Sequence, residues 1–198
     1  MSEKVQFEEE FEQRMDADWK WLREAPEAWR IGEDGLEMRT LPGSLWGESN
    51  NARNVLLRPA QPAVPGLSSE VTVHNQPVLQ GEQAGLIWYQ DDANYIKLVK
   101  ESLDGAIWIV MAREEGDQPE LVDKVAILPE TAHLQLSLED GKMVGRFRTP
   151  DDKAWAEVAT CDPLPDGPVQ LGIFTHGGAA NADRWVTLSS FRITTQGG

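Results

Sequence analysis

Residues Ala84 to Leu98 constrain the fold of this chain most. They read as two strands joined by a short polar turn, Asp91–Asn94. With that turn as the loop, Gln90 pairs with Tyr95 and Trp88 faces Lys97. Side chains alternate along a strand, so Ile87, Tyr89, Ile96 and Leu98 then share the opposite face. The Asp104-Gly105 turn pairs Leu103 with Ala106, which sets Trp108 opposite Glu101 and places Ile109 and Met111 with Ile96. One face is apolar and is expected between two sheets. The other carries Trp88, Gln90, Tyr95, Lys97 and Trp108, which combine aromatic planes with hydrogen-bonding groups.

The same punctuation recurs along the chain. Asp34-Gly35, Asp104-Gly105 and Asp140-Gly141 are two-residue hairpin signals. About a dozen strand-like runs, separated by turns every ten residues or so, predict an all-β sandwich or barrel. Leu134, Leu136 and Leu138 alternate with Gln135 and Ser137, the pattern of an antiparallel strand with one wet face. Gly43–Ala52 and Gln61–Ser68 read as loops, since Pro59, Pro62 and Pro65 would interrupt a strand. Neither repeat nor linker breaks residues 1–198, so a single domain is expected.

Bulk properties narrow the partners. A formal net charge of −15 disfavours nucleic acid and anionic membrane surfaces, which demand clustered Lys and Arg. Cys161 is the only cysteine, so no internal disulfide forms, and Met1–Val5 begins no apolar run of signal-peptide type. A reducing cytoplasm is the expected location.

Motifs of catalysis are sparse. His74, His133 and His176 show no zinc-ligand spacing. Glu8 and Glu10 share a strand face, and Asp91-Asp92 occupy a turn where Asp bonds its own backbone. Both pairs read as structural, so no catalytic residue is assigned and no cofactor or metal is expected. Cys161, at the end of an apolar strand, reads as an inert thiol. Trp19, Trp21 and Trp29 are expected to cover the sandwich edge. Trp155 and Trp185 are expected in the core.

Four segments carry a family resemblance: FEEEFEQRMDADWKWLRE from Phe7, NNARNVLLRPA from Asn50, AGLIWYQDDANYIKLVKE from Ala84 and LGIFTHGGAANADRWVTLSSFRI from Leu171. In this order they resemble the concanavalin A-like domain at the C-terminus of family forty-three β-xylosidases. They are also similar to the stand-alone "regulation of enolase"-like family, whose function is largely undefined. The resemblance implies an all-β, concanavalin A-like jelly-roll β-sandwich of two antiparallel sheets, with Phe7–Phe11 a strand. It also implies positions for a structural Ca²⁺. There this chain offers Glu9 or Glu10 and Ser189 or Ser190, which lack the late acid. In β-xylosidases the similar domain packs against a catalytic propeller, which this chain does not carry.

The expected function is a non-catalytic carbohydrate-binding module that uses the concave aromatic and polar sheet face. A sugar's C–H face packs on an aromatic plane while its hydroxyls need fixed donors and acceptors. The candidate ligand-binding residues are Trp88, Gln90, Tyr95, Lys97 and Trp108, with Trp46 at the rim, His176 at the other end, and Arg53 and Asn54 adding polar contacts. The bland alternative is that Trp88 and Trp108 cover a hydrophobic layer, with the Lys97 stem over an indole. Two other functions stay open: a protein-interaction module that regulates a cytoplasmic metabolic enzyme, and a small glycan-processing enzyme. The expected partner is a saccharide or small glycan, with a protein as the alternative.

Overall fold

The computed structural model describes residues 3–181 and 183–196. Its strands run in order as β1 (Glu3–Glu9), β2 (Lys20–Leu22), β3 (Trp29–Ile31), β4 (Leu36–Arg39), β5 (Leu45–Trp46), β6 (Ser49–Asn50), β7 (Val55–Leu57), β8 (Gln61–Pro62) and β9 (Leu67–His74). Then come β10 (Gln83–Asp91), β11 (Asn94–Leu103), β12 (Ala106–Glu115), β13 (Gln118–Ala126), β14 (Thr131–Glu139), β15 (Lys142–Arg148), β16 (Ala156–Cys161), β17 (Pro168–His176) and β18 (Trp185–Gln196).

Two antiparallel sheets form the sandwich. One runs β16-β15-β14-β9-β18-β4-β3, with β1 alongside β18; the other runs β13-β12-β11-β10-β17-β7-β2, with β8 alongside β17. Two of the three hairpin signals act where expected: Leu103 pairs with Ala106 and Glu139 with Lys142. At Asp34-Gly35 the loop is four residues long, and Ile31 pairs with Leu36. Asp104-Gly105 and Asp140-Gly141 both take positive φ, as such a turn requires. A third turn of this kind, Gly116-Asp117, joins Glu115 to Gln118. It carries the reversed order of residues, Gly before Asp.

Between the sheets lie Leu134, Leu136 and Leu138 from one side and Leu86, Ile96, Leu98, Ile109, Met111, Leu171 and Ile173 from the other. Trp88 is there too, and this corrects its expected place in an open groove. The turn does pair Asp91 with Asn94, but Gln90 then bulges, so Tyr89 pairs with Tyr95 and Trp88 with Ile96. One extra residue in β10 flips the faces of everything before it. Ile87 and Tyr89, expected between the sheets, therefore lie on the opposite face with Tyr95 and Val99. Faces on β11 and β12 agree with the sequence pairing.

Trp19 packs among Phe7, Phe11 and Phe191, and Trp21 lies on Trp29. Trp155 and Trp185 are not core residues. Both are partly exposed, and a guanidinium covers each ring, Arg148 on Trp155 and Arg30 on Trp185.

Candidate functional site

The second sheet has a face turned away from the first. Its register sets side chains on that face in cross-strand rows. His176, Gln83, Glu101 and Trp108 form one row across β17, β10, β11 and β12. Two residues along, Phe174 and Val99 lie beside Val110. Two further along, Ile87 and Lys97 lie beside Ala112. Directly opposed side chains of this kind sit about 5 Å apart.

Loops turn this face into a cleft of about 520 Å³. The 43–52 segment is not the open loop expected from sequence. It carries the short hairpin of β5 and β6, and three side chains of the sheet hold it down. The Lys97 ammonium donates to Leu45 O at 2.7 Å, while Glu114 Oε2 accepts from Gly47 N at 2.9 Å and from the Tyr95 hydroxyl at 2.5 Å. The result buries Leu45 completely and leaves Trp46 43% exposed on the cleft wall, with Lys97 Nζ 5.5 Å from its ring centre. The opposite wall is the turn at Gln80-Gly81. Buried Glu82 fixes it by accepting from Val78 N, Leu79 N and Arg184. Gly177-Gly178 let these walls close. A Cβ on Gly177 would meet Gly81 O at 2.1 Å, and one on Gly178 would meet Thr40 O at 1.9 Å.

The cleft floor is polar and its side chains are largely buried. Gln83 Nε2 donates to Glu101 Oε1 at 3.0 Å. Gln83 Oε1 and both ring nitrogens of His176 find no partner among the described residues. His176 is 3% exposed and stacks on Phe174. Burial, with Lys97 nearby, holds its pKa well below the usual imidazole range, so the ring stays neutral. Burial lowers the Lys97 ammonium to about 8, opposed by Glu101 and Glu114. Burial also raises the Glu101 carboxyl, and Lys97 opposes that shift. Apolar walls of Leu45, Leu103, Val110 and Ala112 complete the cleft.

Of the residues singled out from sequence, Trp46, Lys97 and His176 meet in this cleft. Trp108 continues the His176 row; its indole donates to Leu103 O and lies under Lys124. Tyr95 is buried beneath the β5–β6 hairpin and acts as one of its anchors. The other four lie elsewhere. Trp88 fills the core. Gln90 donates to Pro165 O at the sheet end. Arg53 is exposed beside Glu24 and Glu27. Asn54 is buried and clamps both backbone polar groups of Ala25. Gln83 and Glu101 were missed. Glu101 had a signal, since the β11–β12 pairing already set it opposite Trp108.

Elsewhere, Glu10 accepts from the Ser190 hydroxyl at 2.8 Å, so the first-strand acid and last-strand serine expected to bear on a calcium site meet each other. No group of three His, Cys, Asp or Glu side chains among the described residues is placed to hold a metal ion. Burial pushes the Cys161 thiol up to about 11.

Residues 6–178 match the family model of the β-xylosidase C-terminal concanavalin A-like domain. The chain belongs to this family. No curated protein matches it in sequence. Solved structures of similar fold include the GH43 protein BlXynB of Bacillus licheniformis, with TM-score 0.84, 17% identity, 96% of this chain covered and 39% of that one. The xylan β-1,4-xylosidase of Bacillus halodurans C-125 gives TM-score 0.79 at 16% identity, covering 94% of this chain and 38% of that one. A functionally unknown protein from Saccharomyces cerevisiae gives TM-score 0.71 at 17% identity, covering 92% of this chain and 98% of that one. The chain thus spans about two-fifths of the bacterial enzymes it resembles. These likenesses show the fold.

Proposed function

We propose that this domain is a non-catalytic saccharide-binding module whose site is the cleft between the β5–β6 hairpin and the Gln80-Gly81 turn. One observation carries the proposal: His176, nearly sealed from solvent, presents two unpartnered ring nitrogens to a cavity of small-molecule size. With no partner among the described residues, these nitrogens are free to bond water or a guest that replaces it, so the floor suits a hydrogen-bonding guest. Trp46 supplies an aromatic plane at the entrance. The family's association with glycoside hydrolases supports a sugar as that guest. Against a glycosidase role, Glu101 is the one carboxylate lining the cleft among the described residues, whereas glycoside hydrolysis ordinarily uses two. The lone cysteine fits a reducing compartment, and a cytoplasmic location is part of the proposal. Saturation-transfer NMR against mono- and oligosaccharides, followed by Trp46 fluorescence, tests it. Binding that Trp46→Ala weakens supports the proposal; no binding at millimolar sugar overturns it.

A second reading, protein contact, is favoured by two exposed apolar side chains, Val78 and Leu128, the latter 93% exposed. Their loops are tied together by Lys100, whose ammonium donates to the Asn75, Pro129 and Glu130 carbonyls. Cross-linking of wild type against Leu128→Ser in a host extract tests that reading.

A further inference from the structure

We infer that the row His176–Gln83–Glu101 is the specificity-determining element of the cleft and that it selects a neutral sugar through a pair of adjacent hydroxyls, rejecting both acidic and amino sugars. This rests on the cleft being a saccharide site and adds the class of sugar and the residues that choose it.

The argument is a balance of donors, acceptors and charge. A neutral imidazole offers one donor and one acceptor. Gln83 Oε1 offers an acceptor, and Glu101 offers a carboxyl already bonded on one oxygen by Gln83. A hydroxyl both donates and accepts, so two adjacent hydroxyls satisfy this mixed row. A carboxylate or phosphate only accepts. It would face Gln83 Oε1 and the Glu101 carboxyl with nothing to donate. An ammonium only donates. It would suit the row's acceptors, but Lys97 occupies the neighbouring row, and its ammonium already answers Glu101. The β5–β6 hairpin holds that ammonium on Leu45 O, so it cannot swing away to admit a second cation. Each charged guest therefore meets a fixed group of its own kind, while the group of opposite charge is already engaged, Lys97 by Leu45 O and by the charge of Glu101, and Glu101 by Gln83 and by the charge of Lys97.

Calorimetric titrations of the full chain compare matched ligands: D-glucose and D-xylose against D-glucuronate and D-glucosamine, and D-galactose and L-arabinose against D-galacturonate and D-galactosamine. The same series is run on His176→Phe, which keeps the stack on Phe174, and on Gln83→Leu, with thermal unfolding as the control for folding. At least one neutral sugar is expected to bind, with its charged counterparts weaker by about tenfold or more. Either variant that folds is expected to lose about tenfold in that affinity, the equivalent of one lost hydrogen bond. A charged sugar that binds as tightly as its neutral partner overturns the selection and leaves the saccharide site standing. Unchanged affinity in a folded variant overturns the row in the same way. If no saccharide binds the wild type at millimolar concentration, the site and this inference fall together.

Discussion

The indole Nε1 of Trp88 donates a 2.8 Å hydrogen bond to Ser69 Oγ, across the gap between the two sheets. Trp88 is among the largest fully buried side chains of the protein, and its one polar atom is satisfied by the facing strand. Trp88→Ala is therefore expected to cost about 3–5 kcal/mol of stability, the range for emptying an aromatic core site. Ser69→Ala, which strands the indole N–H, should cost about 1–3 kcal/mol. Urea unfolding measures both. A Trp88→Ala protein of near wild-type stability would mean that this side chain does not belong to the core.

Trp88 also shows where the sequence stops being legible. The faces of β11 and β12 follow from Asp104-Gly105, because a two-residue turn fixes register without ambiguity. The faces of β10 do not follow, because a bulge at Gln90 leaves no mark in hydropathy: Leu86 and Trp88 are as apolar as Ile87 and Tyr89. The cleft divides the same way. Lys97 and Trp46 stand out as a charge among apolar residues and an indole in a loop. Gln83 and Glu101 sit near strand ends, where polar residues ordinarily meet water. They are buried because the 43–52 and 79–82 segments fold over them, and no local pattern records that path.

Trp46→Ala should separate binding from stability. The side chain is exposed and its cation–π contact with Lys97 is worth about 0.5–1 kcal/mol at such a site, so unfolding free energy should change by no more than about 1 kcal/mol. Sugar affinity should fall about two- to tenfold, the scale of one lost aromatic contact. Equal affinity in both proteins would remove Trp46 from the site.

Glu114 is the rivet of the cleft wall. Glu114→Ala removes the acceptor of the Gly47 amide and leaves the Tyr95 hydroxyl only its longer bond to Asn50 Oδ1, 3.2 Å. A buried group left unpaired costs about 1–3 kcal/mol. The loss should appear first as faster hydrogen exchange at Gly47 and across Ser49–Asn50, with the β10–β11 amides still protected. Uniform loss of protection would show instead that Glu114 supports the whole sheet.

Cys161 should stay silent in the native protein. With its thiol pushed up to about 11 by burial, almost none is thiolate at pH 8. Reaction with a disulfide reagent at that pH should track unfolding and become rapid only in denaturant. Immediate stoichiometric reaction in buffer would contradict this.

Lys97 makes the alkaline limb of stability a probe of the cleft floor. Its pKa is about 8 in the folded protein against 10.5 ordinarily, chiefly because burial penalises the charged form. Below about pH 8 both states hold the proton, and the cost of burying the charge is constant. Between pH 8 and 10.5 the unfolded chain binds the proton that the folded chain has released, so this group makes stability rise with pH. The full span corresponds to about 3 kcal/mol. Tyr89, Tyr95 and Cys161 act in the opposite sense, since burial raises all three and the unfolded chain loses their protons first. A single pH curve would mix these contributions, but a difference curve does not. In Lys97→Met the other groups remain and largely cancel against wild type. The wild type should therefore gain on the variant as pH rises from 8 to 10.5, approaching the 3 kcal/mol span. Urea unfolding of both proteins at half-unit steps measures the gap. A gap that stays flat across that window would mean that the ammonium is not desolvated, and that the floor beneath Trp46 is wetter than its geometry shows.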